Sequence, residues 1–295
     1  MEVHLNMNAK KHWNRSAYFL FTLPALALYL IFFIYPVISG LYYSLTDWNG
    51  ISPAFNFIGL QNYRNIVQDK LTMSSIGRTC SYTVALTVIV TVLATLLAVL
   101  LNRPLKLRSF WRVTYFFPAV MSSITIGLIF NQIYYHVVPM VGKALNIAAL
   151  SKNPLSSRDL AMPAILLIHV WKETAIPTVL ILAGMQSISE ELYEAATIDG
   201  ANSRQAFFSI TLPLVKPTIG VAALMSIRSG LMVFDYIKAT TNGGPANATT
   251  TIAVSIYKHA FTDMKFAYSS AESFVIFIVI MLIALVQIRL VQESD

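Results

Sequence analysis

Charge is scarce in this chain. Only 12% of its 295 residues are Asp, Glu, Lys or Arg, and 56% are hydrophobic, where a soluble domain carries about 25% charged residues. That excludes an ordinary soluble domain and points to a bilayer. A single cysteine, Cys80, lies in an apolar run; it excludes an internal disulfide and reads as a small packing residue. The five histidines, His4, His12, His136, His169 and His259, are scattered, and no Cys/His group has metal-ligand spacing, so no metal is expected. His169, inside an apolar run, is expected to pack or to hydrogen-bond. No Gly-x-x-x-x-Gly-Lys-Ser/Thr occurs, which excludes ATP hydrolysis through a P-loop of this chain's own. No Gly-x-Ser-x-Gly elbow or acid/base pair is present, so the chain is not read as an enzyme. The net charge of +7 resides in short loops without a nucleic-acid-binding motif, which fits lipid headgroups and topology control.

What is present is a set of long apolar runs. A helix needs roughly 20 residues to cross about 30 Å of hydrocarbon. Six runs qualify, near 17–44, 74–101, 111–136, 160–184, 214–238 and 268–290. Continuous rather than alternating hydrophobicity selects helices over a barrel, so the expected fold is all-α and integral to the membrane. Residues 1–16 read as a cytoplasmic segment and 17–295 as one transmembrane domain, with no internal repeat. The first run is too long for a signal h-region and is expected to remain as an anchor. Lys10, Lys11 and Arg15, and the tight connection bearing Arg103, Lys106, Arg108 and Arg112, place both termini in the cytoplasm by the positive-inside rule. Longer loops near 45–73, 137–159 and 239–267 then lie outside, and apolar spacing over 56–67 predicts a short interfacial helix.

Between the fourth and fifth runs, on the cytoplasmic side of this topology, lies a polar segment, 189–213. Ser189 is a candidate N-cap with Glu190 and Glu191 in the first turn, and Gly200 permits a left-handed C-cap. Ala201 to Ile210 reads as a second short helix, with Pro213 and Pro217 steering into the next span. Phe207, Phe208 and Ile210 are costly to leave in water, at about 1.5–3 kcal/mol each. The segment is either an ordinary amphipathic loop helix or a surface offered to a partner.

Its residues decide between the two by resemblance. Glu194-Ala195-Ala196, then Asp199-Gly200-Ala201, then Ile210, Leu212, Pro213 and Pro217 resemble the EAA signature of permease subunits of bacterial carbohydrate ABC importers. The resemblance implies six helices in the type I importer permease fold with a cytoplasmic coupling helix pair. Glu194, Ala195, Ala196, Asp199, Gly200, Ala201, Phe207, Leu212 and Pro213 would then dock into an ATPase, with Glu194 pairing to a basic residue and Gly200 setting the bend. The stretch Phe234 to Thr249, with Asn242-Gly243-Gly244-Pro245 at its turn, is similar to one of the two permease types of such importers. It implies a loop at the external gate or at the binding protein. The implied partners are a second, homologous permease in a heterodimer, two ABC ATPases that bind ATP and Mg, an extracytoplasmic binding protein, a saccharide and membrane lipids, with no nucleic acid. No cofactor is implied in this chain, and the implied location is the bacterial inner membrane. An ion-coupled secondary transporter of a small polar solute is the alternative.

Charges inside the runs are the remaining signal. Lys172 and Glu173 fall in the fourth run, Arg228, Asp235 and Lys238 in the fifth, and Glu272 opens the sixth. Each costs about 2.5–3.5 kcal/mol to insert at mid-membrane, so each needs a cavity or a partner. One account is structural: ion pairs between helices, and snorkelling for Lys238 and Glu272. The other is a substrate pathway, with Arg228 and Asp235 two turns apart on one helical face and Asn131, Trp171 and Tyr236 adding hydrogen bonds and stacking. Arg228 and Lys172 lead to the expectation of an anionic sugar.

Overall fold

The computed structural model describes residues 19–103 and 108–292; the expected segment 1–16 and Lys106 lie outside them. Helix α1 runs Phe19–Ser44, and the expected interfacial helix is α2, Gln61–Gln68. Helix α3, Lys70–Asn102, starts where the Asp69 carboxylate accepts the Leu71 N–H at 2.8 Å. Helix α4 is Arg108–Val120 and α5 is Ser123–Ala144. Then come α6, Ala161–Glu173, α7, Ala175–Gln186, and α8, Glu190–Ile198. Helix α9 is Ser203–Leu231 and α10 is Asp235–Thr240. Helices α11, Ile252–Phe261, and α12, Phe266–Gln292, complete the chain. Among the described residues the one extended pairing is an antiparallel bridge between Thr46 and Phe57.

Five helices are long and apolar enough to cross a membrane, and the α6–α7 pair, bent by 40°, makes a sixth if taken as one span. The bend has a local cause. Pro177 has no N–H for the Glu173 carbonyl and its ring presses on that carbonyl, while the Thr174 hydroxyl folds back onto Val170 O at 2.5 Å. Two expected spans are drawn differently. In place of 111–136, α4 stops after Pro118, Ser122 is extended, and the apolar helix is Ser123–Ala144. In place of 214–238, α9 begins at Ser203 and ends at Leu231.

Prolines leave a common mark on the apolar helices. Wide π turns occur at Leu30–Ile34, Ile133–Val137 and Phe207–Thr211, and Pro36, Pro139 and Pro213 each stand two residues beyond one. A proline cannot donate to the carbonyl four residues back and crowds it; widening the preceding turn relieves the crowding without ending the helix. For this reason the expected helix Ala201–Ile210 is not separate: it continues through its π turn into the span.

The described residues pack as two compact units. The first holds 19–65 and 259–275. Here Trp48 stacks on Tyr43 at 4.3 Å between ring centres and meets the Phe266 edge at 5.2 Å. Buried Asn62 donates to Ser44 O and Thr46 O, both at 2.8 Å. Glu272 does not snorkel: it is buried and bonded to His259 Nδ1 at 2.9 Å.

The second unit holds 66–258 and 276–292, and α3 is its central helix, packed along α7 and α9. The contact is close because its residues are small. Ala222, Ser226 and Gly230 follow one another at four-residue intervals on α9, all buried, opposite Thr83, Ala94 and Ala98 of α3. A Cβ on Gly230 would lie 2.9 Å from Thr83 Cα. Without a hydrophobic drive between helices in lipid, such close packing is what holds them. The opposite side of α3 exposes Val84, Val88, Val92, Leu96 and Leu100, again four residues apart.

Candidate functional site

Helix α6 places His169, Lys172 and Glu173 on one face, and α9 does the same with Met225, Arg228 and Ser229, since residues three and four apart share a face; Met232 follows just past the end of α9. Ser123, the first residue of α5, and Asp235 and Tyr236, the first of α10, complete the walls of a cavity of about 360 Å³.

The cavity floor is a hydrogen-bonded imidazole. His169, 2% exposed, meets the Tyr82 hydroxyl through Nδ1 at 3.0 Å and the Ser229 hydroxyl through Nε2 at 2.9 Å. Glu173 Oε2 stands 3.6 Å from Nε2, and the Tyr236 ring centre is 4.6 Å away. Lys172 Nζ donates to Ser123 Oγ at 2.8 Å. Three helices and the start of a fourth thus converge on one side chain.

Of the residues named for a substrate pathway, the cavity gathers Lys172, Glu173, Arg228, Asp235 and Tyr236. Arg228 and Asp235 do not share a helical face, because α9 ends at Leu231 and Phe234, at φ −136°, turns the chain into α10. They meet at the cavity from two helices. Asn131 is elsewhere, donating to Ala239 O at 3.4 Å, and Trp171 packs on Phe130. Lys238 does not snorkel freely: it donates to Asn242 Oδ1 at 2.8 Å and lies 4.4 Å from the Tyr257 ring centre. Ser123, His169 and Ser229 were not among the pathway residues. His169 carried a signal, its three- and four-residue spacing to Lys172 and Glu173; the serines carried none.

The polar segment forms a second candidate surface. Ser189 Oγ accepts the Glu191 N–H at 3.3 Å. At the other end of α8, Ala201 N–H reaches Ala196 O at 2.9 Å and Gly200 N–H reaches Thr197 O at 3.1 Å, with Gly200 at φ +81°. That is a Schellman cap, which requires the left-handed residue glycine supplies. Asn202 and Gln205 then start α9 with a reciprocal capping box. Tyr193 OH and Thr211 Oγ1, 2.8 Å apart, tie α8 to the π turn.

Glu194, Ala195, Asp199 and Gly200 are exposed, as is Pro213, while Ala196, Ala201 and Leu212 are half-buried. Phe207 is half-buried, packed against the apolar cluster that includes Ala94, Ala98 and Met185. Ile198 and Phe208, 86% and 55% exposed, are the most open of the segment's large apolar groups, with Leu192 also exposed. A groove of about 980 Å³ lined by Glu190, Tyr193, Glu194, Thr197 and Ile198 runs beside Asn102 of α3.

The loop at Asn242-Gly243-Gly244-Pro245 is held by hydroxyls. Thr249 Oγ1 donates to Gly244 O at 2.7 Å, Thr250 Oγ1 to Gly243 O at 3.1 Å, and Thr251 Oγ1 to Val233 O at 3.0 Å. Arg78 Nε donates to Thr250 O at 3.0 Å and Ile252 N to Thr79 Oγ1 at 2.9 Å, fixing the loop to α3.

Known proteins resemble this chain over nearly its whole length. The Multiple sugar-binding transport system permease protein MsmF of Streptococcus mutans is 38% identical over 289 residues, covering 98% of this chain and 100% of that protein. The Diacetylchitobiose uptake system permease protein NgcF of Streptomyces coelicolor is 32% identical over 90% of this chain and 80% of its own. Among solved structures, a chain of a bacterial ABC transporter involved in the import of the acidic polysaccharide alginate superposes with a TM-score of 0.82 at 22% identity, over 98% of this chain and 99% of that one. The fold is therefore that of an ABC importer permease. Residues 91–293 match the family described as binding-protein-dependent transport system inner membrane component, and the chain belongs to that family.

Proposed function

We propose that this chain is the transmembrane subunit of an ATP-driven importer and forms, with a second and similar permease, the pathway for a saccharide delivered by an extracytoplasmic binding protein. Family membership places it with binding-protein-dependent systems, and the ion-coupled alternative finds no support there. The observation that carries the reading is the polar cavity among α6, α9 and α10, six of whose residues ionise or bear a phenol: His169, Lys172, Glu173, Arg228, Asp235 and Tyr236. Such groups are costly in hydrocarbon and are kept where a polar solute passes. Relatives named for sugar transport support the saccharide.

The energy comes from elsewhere. Two ATPase subunits would bind ATP and Mg and dock on the cytoplasmic face, where α8 and the start of α9 offer Glu194, Gly200 and the exposed Ile198. Because the Phe207–Thr211 turn, tied to α8 through Tyr193 and Thr211, lies within α9, a push on α8 is delivered to the helix that carries Arg228. Both termini lie in the cytoplasm in this arrangement, and 242–245 lies outside. Proteoliposomes containing the full chain, its co-expressed permease and ATPases, and the binding protein test it. Uptake of a radiolabelled neutral oligosaccharide is expected to require ATP and the binding protein. Uptake driven by a proton or sodium gradient without ATP refutes the reading.

A further inference from the structure

The cavity holds two basic side chains, Lys172 and Arg228, against two carboxylates, Glu173 and Asp235. They are not equally available. Lys172 is engaged by Ser123 at 2.8 Å, and Glu173 stands beside the His169 imidazole at 3.6 Å. The side chains of Arg228 and Asp235 make no hydrogen bond or ion pair with any described residue. They enter from different helices, so the bend after Leu231 sets their placement rather than a shared face.

We propose that Arg228 and Asp235 are the specificity-determining pair of this cavity, each offsetting the other so that it takes an uncharged saccharide and turns away acidic and cationic ones. The inference rests on the saccharide reading above and names the charge class of that substrate. An anionic sugar would be attracted by Arg228 and repelled by Asp235; it would lose the hydration of a full charge and gain no net field in return. A cationic sugar meets the mirror image of that balance. A neutral sugar loses far less hydration. Its hydroxyls donate to the Asp235 carboxylate and accept from the Arg228 guanidinium, both charge-assisted hydrogen bonds. Tyr236, Phe234 and Met232 supply apolar surface for a sugar-ring face. The expectation of an anionic sugar rests on Arg228 and Lys172; this proposal weighs with them the two carboxylates that line the same cavity.

The pair is testable without knowing the sugar. In a Cys80→Ser background, Met232→Cys places a thiol in the cavity, and the full chain is purified into nanodiscs with the subunits that accompany it. Labelling rates are compared for an anionic sulfonatoethyl and a cationic trimethylammonium-ethyl methanethiosulfonate, normalised to a neutral reagent that reports an intact cavity. The anion-to-cation ratio is expected to lie near unity, to rise about tenfold in Asp235→Asn, to fall about tenfold in Arg228→Gln, and to return in the double variant. Maltotriose is expected to slow labelling in the parent; trigalacturonic acid is expected to do so only in Asp235→Asn. Protection by maltotriose with a ratio that neither variant moves overturns the pair and leaves the saccharide reading standing. A ratio that follows charge while no saccharide protects removes the saccharide reading, and the proposal with it.

Discussion

His169 shows what one residue does here. Its two ring nitrogens satisfy hydroxyls on two other helices, and its removal would leave Tyr82 OH and Ser229 Oγ without that partner. His169→Ala is expected to cost about 2–4 kcal/mol, read as a lowered melting midpoint of the purified protein, with His169→Gln recovering part of the loss. Asp47 acts on a smaller scale. The Asn56 backbone N–H at 2.6 Å and its side-chain amide at 3.1 Å hold the Asp47 carboxyl below the ordinary carboxylate range. A lowered pKa means the contact contributes above the unfolded value and is lost as pH falls through the folded one. Hydrogen exchange at Asn56 N–H is therefore expected to accelerate, beyond its intrinsic pH dependence, only below about pH 4; no change there excludes the contact. The ionisable residues were legible in the sequence because charge in an apolar run is conspicuous. Their hydroxyl partners were not, because Ser123 and Ser229 look like any small residue of a membrane helix.

Among the helices, two glycines separate conformation from space. A side chain at Gly200 meets nothing within 4 Å, so Gly200→Ala carries only the left-handed backbone penalty, about 1–2 kcal/mol. It is expected to lower exchange protection in 190–198 and leave the melting midpoint nearly unchanged. Gly230→Ala drives a methyl to 2.9 Å from Thr83 Cα and forces α3 and α9 apart, at about 1–3 kcal/mol. A melting midpoint as high as that of Gly220→Ala, whose added methyl meets nothing within 4 Å, would refute the close approach. Pro213 bears on the π turn. Pro213→Ala removes the reason for the wide turn, and closing it would rotate α8 relative to the lower α9 by about 100°. ATP-dependent uptake is expected to fall more than stability, measured as transport rate against melting midpoint. The sequence pattern placed caps and glycine turns well, since these are local. The helix ends near the third and fifth runs differ from the expected bounds, because hydropathy does not register a helix end just past Pro118 or a chain turn at Phe234.

At the scale of the whole molecule, the proposed function requires partner subunits. The exposed valine and leucine stripe of α3 and the open groove at α8 are surfaces left for lipid or for other subunits. Glu194→Ala is expected to abolish co-purification of the ATPase while the melting midpoint of the chain holds, because Glu194 is exposed and makes no ion pair with any described residue. Retained co-purification with full transport removes the docking role. The general architecture was legible because membrane thickness dictates run length. The two-unit packing was not, since it joins residues 19–65 to 259–275, a pairing that no local pattern announces.

The threonine-bound loop has a kinetic consequence. Residues 242–251 combine positive-φ positions with hydroxyl bonds to their own carbonyls and two ties to α3, so the segment has little freedom to flap on the nanosecond timescale usual for loops. If it bounds the path, it opens only when α3 and its neighbours move with it, in microseconds to milliseconds. A spin label at Asn247 would then report the rhythm of the helices beneath it rather than a motion of its own.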